Sequence, residues 1–156
     1  MGKEFGGRSV VDTIVIAWLS FHVGWVCIMR IGRDDNFILI ETVPMEGGHL
    51  ACRIEAVVLG AGRRFSAVHD RVMLDASAEI VQRFTDFEEL KSEKVEIPLT
   101  EGGWLRFDRD KRGHIIVHYR ISGWKVRAAM EGQILLEAEF SGAFCHEFRA
   151  LFAANS

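Results

Sequence analysis

The hydrophobic period of this chain changes three times, and those changes limit what it can fold into. Between His49 and Leu59, Leu50, Cys52, Ile54, Ala56 and Val58 share one face while Arg53 and Glu55 share the other. Such period-two alternation marks a half-buried strand. Phe37 to Val43 and Arg64 to Leu74 flank it as further strands, with Pro44, Gly47-Gly48 and the turn Gly60 to Arg63 at the joints. Strands joined by short glycine turns make an antiparallel meander. In DASAEIVQRFTDFEELK the period lengthens, because Ile80, Val81, Phe84, Phe87 and Leu90 form the stripe of an amphipathic helix. Asp75 or Ser77 suits its N-cap, and Glu79 suits its electropositive first turn. Val95, Ile97 and Leu99 then restore period two. Pro98 cannot donate to a ladder, so this strand belongs at an edge or has a ladder-free side.

The next stretch, WLRFDRDKRGHIIVHYR, resembles the opening of a calcium loop, with Asp108, Asp110 and Gly113 at loop positions 1, 3 and 6. Position 5 is Arg112 and position 12 is Tyr119, so donors are missing, and Arg109 and Lys111 would repel a cation. Both flanks alternate as strands, which makes the segment a β-hairpin with Gly113 free to take positive φ. Gln133 to Phe140 predicts a last strand, and Phe144, Phe148, Leu151 and Phe152 a C-terminal helix. The fold class is therefore α+β. It should have a largely antiparallel sheet of about six to seven strands, an inserted amphipathic helix and a C-terminal helix packed on it.

Residues 1–28 differ from the rest. TIVIAWLSFHVGWVCIM, Thr13 to Met29, is almost wholly apolar apart from His22 and a few hydroxyls. It sits at the lower limit of about 17 residues for a membrane helix and lacks a signal-peptide cleavage site. Lys3 and Arg8 are balanced by Glu4 and Asp12, so the charge gives no lead. The reading is an N-terminal extension over 1–28, whether a mis-start, an anchor or an element packed on the domain, ahead of one α+β domain over 29–156. Membrane contact is expected only if that segment is a genuine anchor.

With 156 residues, 49% hydrophobic and 26% charged, the chain can bury one core. A net charge of −3 gives no electrostatic footprint for nucleic acid. Cys27, Cys52 and Cys145 are odd in number and lack C-x-x-C spacing, which fits a reducing cytoplasm.

No catalytic, cofactor or metal set stands out. Gly60-Ala61-Gly62 opens like a dinucleotide fingerprint, but Phe65 replaces its third glycine and a strand follows instead of a helix. His114 and His118, four apart on a strand, are about 13 Å apart and cannot share a zinc. Cys145 and His146 diverge on a helix, and His69 and Asp70 face opposite sides of a strand. Neither pair suits base and nucleophile or base and orienter, and Cys145 would need a distant His such as His69. The charged helix side carrying Asp86, Glu88 and Glu89 reads as a solvated face or an acidic docking face.

A helix with V-x-x-F-x-x-F-x-x-L is followed by G-G-W-L-x-F-D, then by D-x-x-G-H-I-I-V, L-L-E-A-E-F and a phenylalanine-spaced helix. Over Phe37 to Phe152 this order resembles the small α+β immunity proteins of bacterial polymorphic toxin systems, of the type paired with wall-associated toxins. It departs from them at Ser141-Gly142-Ala143, where an Asp-Gln-Ser run is expected. The resemblance implies a non-enzymatic, cytoplasmic protein that binds and neutralises a cognate toxin domain without a cofactor. Trp104, Tyr119, Arg120 and Trp124 are the candidate anchors for such a partner, and Asp86, Glu88 and Glu89 a candidate steering face. The alternative is a small ligand-binding or enzymatic α+β domain with a pocket between sheet and helices.

Overall fold

A computed structural model describes residues 14–21, 24–43, 50–75, 77–123 and 128–153. Five strands come first: β1 (Ile14–Phe21), β2 (Gly24–Arg33), β3 (Asn36–Val43), β4 (Leu50–Gly60) and β5 (Arg63–Leu74). Helix α1 (Ala78–Glu88) follows, then β6 (Lys94–Pro98), β7 (Trp104–Arg109), β8 (Ile115–Gly123), β9 (Ala128–Leu136) and helix α2 (Ala138–Ala153). Every strand pairing is antiparallel between neighbours in sequence, in the order β1-β2-β3-β4-β5 and, separately, β6-β7-β8-β9.

The α+β class and its antiparallel pairing stand as expected, but the single sheet is in fact two. Helix α1 interrupts the meander after β5, and a bridge between Leu74 and Leu99 is where the second sheet starts against the first. The expected boundary at residues 28 and 29 is also corrected, since it falls inside β2. Met29 pairs with Ile16 on one side and Ile40 on the other, and is fully buried. The apolar run before it forms strands, not a membrane helix. Among the described residues no helix is long and apolar enough to cross a membrane. The last strand ends at Leu136 rather than Phe140, because Glu137-Ala138-Glu139 favours a helical start over an extended run.

Local signals explain the placement of α1. Ser77 is the N-cap, its Oγ accepting the Ile80 amide, and Asp75 accepts the Ser77 amide at 2.9 Å. At the other end Arg109 Nη1 donates to the Phe87 carbonyl at 2.7 Å, and the same guanidinium lies 4.3 Å from the centre of the Phe87 ring. A cation there joins the Leu90 amide on a last-turn carbonyl and complements the helix dipole.

Both helices face the inner side of the second sheet through phenylalanine. Phe107 of β7 meets Phe144 and Phe148 of α2 at 5.2 and 5.0 Å between ring centres, and Phe84 of α1 stacks on Phe148 at 5.1 Å. The inner face of the first sheet, including Ile31, Ile38, Ile40, Cys52 and Ile54, joins the same core. Tyr119 lies in this core, fully buried, and its hydroxyl finds no hydrogen-bond partner among the described residues. Gly132 opposes it across the β8–β9 ladder, where a Cβ would come within 2.3 Å of the Tyr119 hydroxyl.

Gly132→Ala is therefore expected to lower stability by about 1–3 kcal/mol, the usual cost of overpacking. Tyr119→Phe removes an unpaired buried polar atom, and should leave stability unchanged or raise it by about 1 kcal/mol. Thermal or urea unfolding of both variants checks this, and a Gly132→Ala protein as stable as wild type would refute the close contact.

Candidate functional site

The inner face of the second sheet is occupied by the core, so its chemistry is carried by the outer face. Strand register lays that face out in three rows. Pro98, Trp104, Arg120 and Glu131 form one; Glu96, Arg106, His118 and Gln133 the next; Lys94, Asp108, Ile116 and Leu135 the third. All twelve are half-buried or exposed, and Leu135 is 55% exposed.

The polar groups on this face hold one another in place. Asp108 accepts from Arg106 Nε at 3.3 Å and lies 3.0 Å from His118 Nε2. The Arg106 guanidinium lies 5.3 Å from the centre of the Trp104 ring. Trp104 stands directly opposite Arg120, whose Nη1 donates to Glu131 at 3.1 Å. The Nε of Arg120 is buried without a hydrogen-bond partner among the described residues. Lys94, Arg106 and Arg120 are matched by Glu96, Asp108 and Glu131. A face so balanced presents no strong field of either sign, and offers instead a tryptophan between ordered guanidinium groups.

The sequence-predicted residues divide clearly. Trp104 and Arg120 come together on this face, while Trp124 lies outside the described residues. Tyr119 is a correction: period two turns it inward, so it cannot anchor a partner. On the candidate steering face, two of the three carboxylates lie against cations. Glu88 lies 3.1 Å from Arg149 and Glu89 pairs with Lys91. Asp86 accepts from Gln82 at 3.0 Å and borders a cleft of about 410 Å³ with Arg83, Lys94 and Arg106.

The catalytic candidates fare no better. Burial pushes the Cys145 thiol up to about 11, although Arg109 Nη2 lies 3.7 Å away and opposes that shift. A thiol so protonated at neutral pH is a poor nucleophile. Its distant candidate, His69, sits instead 3.1 Å from Glu101, and Asp70 faces Arg53 at 3.6 Å. The His69–Glu101 pair spans 32 positions and had no local signal in the sequence. Among the described residues no group of three or more His, Cys, Asp or Glu side chains could hold a metal ion.

The hairpin after β7 is a turn, as its flanks required. Asp110 Oδ1 accepts the amides of Arg112 and His114 at 2.8 and 2.9 Å, and Oδ2 lies 2.8 Å from His114 Nδ1. Gly113 takes a φ of 85°. The carboxylate that would have ligated calcium is used to close the turn.

No family model matches the chain, and no curated protein matches it. Among solved structures, the crystal structure of MRP1/MRP2 from Trypanosoma brucei is similar at a TM-score of 0.46 and 12% identity, over 97% of this chain and 90% of that one. A likeness that loose fixes neither the fold nor the function of this chain.

The turn has a pH signature. The hydrogen bond from the His114 side chain, aided by the backbone amides, holds the Asp110 carboxyl below its ordinary range. A depressed folded pKa stabilises fully above the unfolded value of about 3.9, and that contribution is lost as pH falls through the folded value. Wild type should thus be more stable than Asp110→Asn near neutrality, and the gap should close in acid. Thermal melts across that range test it, and a gap that does not change with pH would remove Asp110 from this role.

Proposed function

We propose that this chain is a non-enzymatic protein-binding domain that presents the outer face of β6–β9 to its partner. The observation that carries the reading is the adjacency of Trp104 and Arg120 on an exposed sheet face, with Arg106 beside the tryptophan ring. Tryptophan and arginine are the residue types most often found to dominate interface energies. Arg120 is already ordered by Glu131, and Arg106 by Asp108, so little side-chain freedom remains to be lost on docking. The partner class implied by the sequence resemblance is a toxin domain, which this chain would bind and block in the bacterial cytoplasm.

The rival reading, a ligand pocket between sheet and helices, has little space to use. Between α1, α2 and the second sheet the volume is taken by Phe84, Phe107, Phe144 and Phe148 in mutual contact. The raised Cys145 thiol also favours a binding role over nucleophilic chemistry.

A native pull-down with the whole tagged chain, compared with Trp104→Ala and Arg120→Ala, tests the proposal. A stoichiometric protein should co-purify with wild type, and each variant should weaken it by about 2 kcal/mol, roughly thirtyfold. Melting temperatures of the variants guard against simple misfolding. Expression of the captured protein alone should arrest growth, and co-expression of this chain should restore it. Undiminished capture by both variants would place the interface elsewhere, and a harmless partner would end the toxin reading.

A further inference from the structure

The first sheet ends in a long edge strand. Strand β5 is twelve residues long and pairs only with β4, so it is the last strand of its sheet. From Arg63 to Arg71 its residues are exposed, except for half-buried Ala67 and His69. Leu59, Phe65 and Val68, three of the five large apolar residues that are exposed among those described, lie on this one hairpin. Long open edges of this kind are templates for another strand, and proteins usually blunt them with proline, short length or cover. The edge strand β6 is blunted in that way, being five residues long and ending in Pro98. Among the described residues, cover lies toward the far end of β5, where His69 Nε2 is 3.1 Å from Glu101, the Met73 amide donates to Thr100 Oγ1 and Leu74 bridges Leu99.

We propose that the exposed edge of β5 pairs antiparallel with the same edge of a second copy of this chain, joining two five-stranded sheets into one. Charge and register together select this occupant. A two-fold axis normal to the sheet must pass through a residue, because paired residues share a face and faces alternate. With Ala67 on the axis, Arg64 lies opposite Asp70 of the other copy, and the contact is made twice. Phe65 then lies opposite His69, Ser66 opposite Val68, and Ala67 opposite itself, so the smallest side chain sits where the two chains meet. Moving the axis to Ser66 sets Arg64 against Val68, and moving it to Val68 sets Arg64 against Val72. Neither places an arginine opposite an aspartate.

Within one chain Arg64 lies 3.3 Å from Asp35, and Asp70 lies 3.6 Å from Arg53. Across the axis these two pairs would join into a four-membered chain of alternating charge. Arg63 falls opposite Arg71 at each end of the ladder, but there the register of β5 is broken between the partners of Cys52 and Ile54. That irregularity sets Asp70 and Arg71 both on the face of Arg53, so Asp70 keeps the face it shares with Arg64 while Arg71 leaves the face of Arg63.

Sedimentation velocity on the whole chain over a concentration series tests the pairing. Wild type should sediment as a dimer whose dissociation constant rises about tenfold or more in D70R and likewise in R64D, as two symmetric pairs turn repulsive. The double exchange R64D/D70R restores opposite charges across the axis, and should recover most of the lost affinity. That recovery is the result a merely local surface effect would not give. A wild-type chain that stays monomeric up to about 1 mM, the limit of weak interfaces, would overturn the proposal. So would a dimer that neither reversal weakens, and so would a double exchange no better than either single one.

Discussion

The contact between phenylalanine rings of α1, α2 and β7 is the interaction on which the rest of the structure depends. Phe107 stands on the inner face of β7, and Phe84, Phe144 and Phe148 reach it from two helices that are far apart in sequence. Burying one such ring contributes about 2–3 kcal/mol, and tilted or offset ring pairs add roughly another 1 kcal/mol. No single strand pairing could bring both helices to the same sheet. The ring cluster does so, and it continues without a break into the aliphatic inner face of the first sheet.

That clustering has a consequence for function. With both helices turned to inner faces, sheet faces and sheet edges are among the surfaces left for recognition. A sheet face displays side chains at fixed spacing, about 4.8 Å across strands and 6.8 Å along them, which suits a preordered patch of Trp and Arg. A sheet edge displays backbone donors and acceptors, which suits another strand. The outer face of β6–β9 is of the first kind and the free edge of β5 is of the second. Their energetics differ accordingly: side-chain anchors dominate one, and the hydrogen-bond ladder with a little apolar cover dominates the other.

Much of this was legible from the sequence wherever the period was clear. The alternation of β4, the stripe of α1, the turn at Gly113 and the phenylalanine spacing of α2 all carried their own geometry. Legibility failed where period carried no information. Thr13 to Met29 is nearly continuous in apolar residues, and such a run reads equally as a buried strand or a buried helix. The result was a boundary drawn through β2. At the site, residue type points to Trp104 and Arg120, and the β7–β8 register brings them side by side. The same residue-type argument points to Tyr119 against the alternation, which turns a neighbour of Arg120 inward. The pairing of Glu88 with Arg149 joins two helices, and the pairing of His69 with Glu101 joins a strand to a loop. Neither obeys any local period, so neither could be read before the fold was known.

The irregularity in β5 shows how one local defect serves both the core and the edge. Cys52 pairs with Val72 while Ile54 pairs with His69, so two residues of β5 oppose one of β4. Without the extra residue, strand alternation would put Val72 and Leu74 on the face opposite to Ala67 and His69. With it, Val72 and Leu74 are buried in the core, and Ala67 packs against that core from the same side. The same extra residue bends the strand and ends the regular ladder beyond His69. The chain therefore keeps its buried end against the second sheet, where Leu74 bridges Leu99, while its other end stays exposed. Removing the bulge by deletion would force a choice between the two, because alternation cannot satisfy the buried Val72 and the inward Ala67 on an unbroken strand.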